Sequence, residues 1–299
     1  MSSSRIETLS ILLLLSVVCT LATTGDDAPT NYWRLNQCKD VKQTEEDTCN
    51  NKYTISELNG DVSFSPNAVR FKDGFNESIV DSAHKDNVLV KGVLATRMMV
   101  RGAPVVDMQV NIVYRLLPMF IPFGSNVVPE VDTKNPVYMI DSSSVANCQD
   151  ILQCSTLRLD MVNTDQHVMA SSLSHPYSSV PGFDHKWLND LLTKRSSYAL
   201  ISGRLNGKKF MATGIYVNVE DREIGCPEVL PKKCDNPKET NAFIRNTNRC
   251  VVPNGCTPVH RQLCPGIVLK CSNGYRLQAF TTAPHGCNSF YCDASFLQV

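Results

Sequence analysis

A unit of four cysteines is written twice in tandem at the end of this chain, and that duplication constrains the fold more than any other feature. The first copy, 226–256, carries Cys226, Cys234, Cys250 and Cys256; the second, 264–292, carries Cys264, Cys271, Cys287 and Cys292. The gaps are seven, fifteen and five residues in the first copy and six, fifteen and four in the second. The likeness extends beyond spacing. Each copy opens on Cys-Pro, Asn236 and Asn273 each follow the second cysteine by two, and Ala242-Phe243 matches Ala279-Phe280. Self-similarity at a fixed offset marks a repeated structural unit. A repeat of this size has too little apolar material to stand on its own core, so covalent staples are expected. A bridge closing a fifteen-residue loop contributes about 3 kcal/mol in the chain-entropy model. A unit that was copied whole is expected to pair its cysteines within itself, although four cysteines leave three pairings open.

Sulfur usage also sets the compartment. Arg5, the apolar run Leu9–Ala22 and the small residues Thr23–Gly25 have the pattern of a secretory signal over residues 1–24. Cleavage there removes Cys19 and leaves Cys38, Cys49, Cys148 and Cys154 together with the eight of the repeats. An even count in an oxidising compartment predicts disulfides throughout and a secreted, extracellular protein. Asn76-Glu77-Ser78 is a glycosylation sequon and follows the turn-like Asp73-Gly74, so a surface glycan on Asn76 is expected. No integral membrane segment is expected after signal cleavage, since Leu116–Phe123, the most apolar later stretch, is short and broken by Pro118 and Pro122.

Residues 25–225 read as a mainly β domain, a β-rich α+β fold with one short helix; the disulfide-rich tandem repeats of 226–299 come after it. Met108, Val110, Ile112, Tyr114 and Leu116 alternate with polar positions, Val113 alone being out of pattern, and Leu157, Leu159 and Met161 alternate with Arg158 and Asp160. Val88–Val100 is a second β-rich run, interrupted at Gly92. Tyr198–Val219 predicts a hairpin with its turn at Leu205-Asn206-Gly207-Lys208. The helix is predicted after Asp184, a capping residue, with Trp187, Leu188, Leu191 and Leu192 on one face and Lys194-Arg195 in its last turn.

The charge balance, 29 basic against 29 acidic residues, offers no field to recruit nucleic acid. The tail alone is mildly basic, with eight basic residues against four acidic ones from Cys226 onward, the pattern of a solvated surface. Motifs of nucleophile elbow, zinc protease, Walker loop or dinucleotide-binding type are lacking, as is C-x-x-C. Ser142–Ser144 has the composition of a loop. The six histidines, His84, His167, His175, His185, His260 and His285, are scattered; Asp160 and Asp165 beside His167 form the nearest approach to an acid–base group. No catalytic residue, metal ligand or cofactor is therefore assigned. The expected partner is an extracellular protein or a small apolar ligand.

Within the repeats, Phe243 and Phe280 are matched and so are expected to form each unit's small core. Tyr275, Arg276 and Leu277 differ from their counterparts Lys238, Glu239 and Thr240 and are the candidate partner-binding residues. Over 264–292 the chain resembles antistasin-type inhibitor modules, through Cys271-x-x-Gly274-Tyr275, then Gly286-Cys287 and a further cysteine. The resemblance implies a rigid loop inserted into a serine protease. It departs from the family in lacking close-set terminal cysteines, in the longer gap before Gly286-Cys287, and in the absence of Gly-Tyr from the first copy, so membership is not drawn from it.

The function expected from all of this is that of a secreted, disulfide-stabilised glycoprotein with a non-catalytic extracellular binding or structural role. The alternatives are a protease inhibitor acting through the repeats, an apolar-ligand (lipid) carrier with Leu116–Phe123 at its mouth, and a hydrolase with a noncontiguous site.

Overall fold

The computed structural model describes residues 30–38, 52–98, 104–121, 131–194, 198–219, 226, 230–266 and 269–297. The signal segment, Cys49, Pro122-Phe123, Arg195 and residues 220–225 lie outside them. The chain is mostly β and groups into two compact units, residues 1–113 and 114–299.

In the first unit, β1 (Asn31–Gln37), β2 (Tyr53–Glu57), β3 (Ser63–Phe64), β4 (Ala68–Arg70), β5 (Val88–Met98) and the Pro104–Val113 part of β6 (Pro104–Leu116) form a sheet. Its order is β3-β2-β1-β5-β6, with β4 parallel to β6. Trp33, Leu35, Tyr53, Ile55, Val88, Leu89, Val90, Met108 and Val110 are buried; burial alternates in β2 and around Gln109, which faces solvent, while β1 and the start of β5 are buried at consecutive positions. Helix α1 (Ser78–Asp81) is a single turn.

In the second unit, β6 contributes Tyr114–Leu116 to a sheet ordered β6-β12-β11-β7-β8-β9, made with β7 (Val137–Ile140), β8 (Leu157–Met161), β9 (His167–Ala170), β11 (Ala199–Asn206) and β12 (Lys209–Asn218). A short strand, β10 (Ser172–Ser174), runs parallel to β12. The predicted hairpin is β11–β12, but its turn is displaced by one residue. Asn206 pairs with Lys209, so Gly207-Lys208 is the loop, and Gly207 alone takes the positive φ, 61°. Glycine at the first central position is the type II′ pattern, which spares Asn206 any left-handed backbone.

Two one-turn helices accompany the predicted one. Ser142–Val145, read from sequence as a loop, winds into α2 because Asp141 caps it, accepting from the Ser143 backbone N–H at 3.0 Å. The predicted helix is α3 (His185–Lys194), capped as expected by Asp184, which accepts from the Trp187 N–H at 2.9 Å. Leu188, Leu191 and Leu192 face a core with Leu117, Tyr138, Ile140, Leu159, Ile201, Phe210 and Ile215. Leu116 and Leu117, at the head of the apolar stretch, are themselves buried.

Tyr177 ties this core together. Its ring is fully buried, and its hydroxyl donates to the Leu117 carbonyl (3.2 Å) while accepting from the Ile215 N–H (3.1 Å). The turn that presents it is capped by His175, whose Nδ1 accepts from the Tyr177 N–H. Burial and the ring of His185, stacked 6.3 Å away, both hold the His175 pKa below its ordinary 6.5; Asp150 pulls weakly the other way. The proton is thus bound more weakly in the folded state than in the unfolded one. Stability from this residue is complete above about pH 6.5 and declines as pH falls through that value towards the lower folded pKa. Urea midpoints measured from pH 7.5 to 5 are expected to fall more steeply for the natural protein than for His175→Asn, which keeps an acceptor and does not titrate. Parallel slopes would remove His175 from this role.

Candidate binding site on the bridged hairpins

The last quarter of the chain folds as two antiparallel hairpins. The first is β13 (Glu239–Arg245) with β14 (Val251–Pro258); the second is β15 (Tyr275–Thr282) with β16 (Cys287–Ala294). Bridges join Cys226–Cys250, Cys234–Cys256, Cys264–Cys287 and Cys271–Cys292. In both segments the first cysteine bonds the third and the second bonds the fourth, within the segment as expected. A fifth bridge, Cys148–Cys154, closes a short loop, and Cys38 is also disulfide-bonded.

The spacing difference between the segments has a structural outcome. The second hairpin keeps one register throughout; the first slips between Asn241 and Phe243, with the extra residue on β14. The additional residue between Cys250 and Cys256 is absorbed as a β-bulge, and Gly255 there has φ 82°. The matched positions also differ in burial. Phe280 is buried and Ala279 exposed in the second hairpin, whereas in the first Ala242 is fully buried and Phe243 only half-buried. The expectation of matched phenylalanine cores therefore holds for Phe280 and is corrected for Phe243. The residue before the third cysteine is left-handed in both segments: Gly286 at φ 69° and Arg249 at φ 66°.

The hairpins are anchored by a charge cluster that no local pattern announces. Arg245, on β13, donates to Asp184 through Nε at 2.7 Å and to both carboxylate oxygens of Asp293 on β16. Its side chain is only 4% exposed, against 12% for Asp184 and 8% for Asp293. The guanidinium also lies 4.7 Å from the centre of the Tyr291 ring. Arg249 adds a longer contact to Asp293, donates to the Leu297 carbonyl at 3.1 Å and stacks over Trp187 of α3. Two of the tail's basic residues, taken from sequence as solvated surface, are thus internal.

Tyr275, Arg276 and Leu277 do not share one environment. Tyr275 is buried; its ring meets Phe183 edge-on at 6.0 Å and its hydroxyl donates to the Pro118 carbonyl. Burial raises its pKa well above the ordinary tyrosine value. This corrects the reading of Tyr275 as a contact residue: its contacts are internal. Arg276 is exposed and Leu277 half-buried, so those two remain at the surface. Asn76 is exposed at the start of α1. His167 faces Asp160 across β8–β9, but His167 and Asp165 are exposed and Asp160 is held by Arg158 at 2.7 Å. Folding also brings His260 near His285, with ring centres 5.9 Å apart. Among the described residues no cluster of three or more His, Cys, Asp or Glu has the arrangement of a metal site, and no helix is long and apolar enough to cross a membrane.

One segment contrasts with this internal pairing. Leu230, Pro231, Lys232 and Lys233 lie outside any helix or strand, and all are exposed, Leu230 to 84%. Among the described residues, none ties them down by a hydrogen bond or an ion pair. The sequence held a signal for them: a Pro-Lys-Lys run ending on a bridged cysteine. No protein-family model, curated protein or solved structure matches the chain.

Proposed function

We propose that the chain is an exported, disulfide-stabilised glycoprotein with a non-catalytic binding or structural role outside the cell. Its C-terminal part is read as two copies of one bridged unit, 226–256 and 264–292, following a β-rich part. The observation that carries this is the pairing of Cys226–Cys250 with Cys234–Cys256 and of Cys264–Cys287 with Cys271–Cys292: short hairpins are closed covalently, in the same order, where their own apolar content is small. Hairpins held in this way present side chains whose ordering cost is met before a partner arrives, which favours recognition of another protein. Arg276 and Leu277 lie on that surface.

Expression through a secretory pathway tests the reading. The protein is expected in the medium, without titratable thiols in its folded mature form, and with a glycosidase-sensitive shift in mobility that Asn76→Gln abolishes. Retention in the cytosol, or free thiols in exported material, would overturn it; an unshifted band would remove the glycan alone.

A further inference from the structure

We propose that Leu230-Pro231-Lys232-Lys233 is a substrate-like loop that enters the cleft of a serine protease cutting after lysine or arginine, with Lys232 in the specificity pocket. This deepens, and rests on, the reading of the chain as an exported binding protein.

Four observations converge on it. First, the charges are unspent. Arg245 and Arg249 of the same hairpin are committed to Asp293 and neighbouring groups, whereas Lys232 and Lys233 have no partner among the described residues. A pocket lined by a carboxylate is the complement of such a side chain, and it is how proteases of this class select lysine and arginine. Second, the backbone from 230 to 233 makes no hydrogen bond with the described residues, so its N–H and C=O groups are available for pairing with the edge of a protease cleft, as an added strand is paired. Third, Pro231 fixes its own φ and steers Leu230 away from helical backbone, which favours the conformation a cleft accepts. Fourth, the segment lies between two anchors. Cys226 is bonded to Cys250 and Cys234 to Cys256, and both partners belong to the same short stretch at and within β14.

The anchors set the fate of a cut chain. Hydrolysis of the Lys232–Lys233 peptide bond adds one water, giving a carboxylate on Lys232 and an amine on Lys233. Each new end stays tied to the 250–256 stretch by its own bridge. The two ends remain at high effective concentration, so the leaving segment does not diffuse away and resynthesis of the bond competes with product release. A free peptide of the same sequence has no such restraint.

The full-length oxidised protein, purified from the medium and titrated against trypsin with chymotrypsin as control, decides the matter. Trypsin activity is expected to fall stoichiometrically while chymotrypsin is unaffected. Lys232→Ala, an exposed change that leaves the melting temperature in place, is expected to weaken inhibition by at least about 30-fold, the loss that comes from truncating one partner of a desolvated charge pair. Unimpeded trypsin, rapid turnover of the protein as an ordinary substrate, or full inhibition by Lys232→Ala would each overturn the proposal. If the tested material is exported and free of thiols, such a failure sinks this loop's role and leaves the broader reading standing. Cytosolic, reduced material would sink the broader reading itself.

Discussion

Arg245→Met is expected to destabilise the 114–299 unit by about 3–5 kcal/mol, among the largest losses open to a single substitution in it. The reason is what the change leaves behind rather than what it removes. Asp184 and Asp293 are almost fully covered, and without the guanidinium their charges are left with little compensation away from water. The separation of causes is testable. Arg245→Met combined with Asp293→Asn is expected to be more stable than Arg245→Met alone, because the second change removes one stranded charge. Arg245→Lys is expected to fall between the natural protein and the methionine variant, since an ammonium cannot grip Asp293 with two parallel bonds while also reaching Asp184. Urea unfolding followed by fluorescence reads all three. A loss below about 1 kcal/mol for Arg245→Met, the range of exposed ion pairs, would show that water reaches this cluster.

Breaking Cys271–Cys292 by a pair of alanine substitutions is expected to cost about 3–5 kcal/mol, and breaking Cys234–Cys256 closer to 2–3 kcal/mol. Loop closure cannot separate the two bridges, because their sequence separations are 21 and 22 residues. Surroundings do. Cys292 is 1% exposed, packs in the core of the 114–299 unit, and donates its backbone N–H to the Gly182 carbonyl at 2.8 Å. Cys256 lies at the surface. Losing the inner bridge therefore adds a packing defect to the entropy gained by the unfolded chain. Equal shifts in the urea midpoint for the two double variants would show that chain entropy acts alone.

These two expectations mark where the sequence was informative and where it was silent. Cysteine spacing announced the bridged segments because a disulfide is a local geometric demand repeated in the chain. Period-two alternation announced β6 and β8, and Asp184 with its following leucines announced α3, because strand and helix faces are written in consecutive residues. Asn206-Gly207 located a turn but misplaced its centre by one position, since either residue tolerates left-handed backbone and only the cross-strand register chooses. The matched Ala-Phe pairs misled because burial follows tertiary packing and not sequence likeness: Ala242, not Phe243, is the fully buried member of the first pair. Arg245 gave no signal at all. Its partners lie 61 and 48 residues away, and an arginine between Ile244 and Asn246 resembles any surface strand residue. Tyr275 was read as a partner contact and its inward placement was not legible, because its acceptor is the carbonyl of Pro118, 157 residues earlier.

Asp184 serves two masters, and that has a consequence for how the second unit comes apart. The same carboxylate that closes the first turn of α3 holds the arginine of the first hairpin, while Tyr275, Cys292 and Ala294 of the second complete the core against which the helix lies. The final stretch is thus a keystone rather than a pendant. Peeling it away would leave the Asp184 carboxylate without its arginine and open the interior in one motion, so heating is expected to melt strands, helix and hairpins together instead of shedding the cysteine-rich end first.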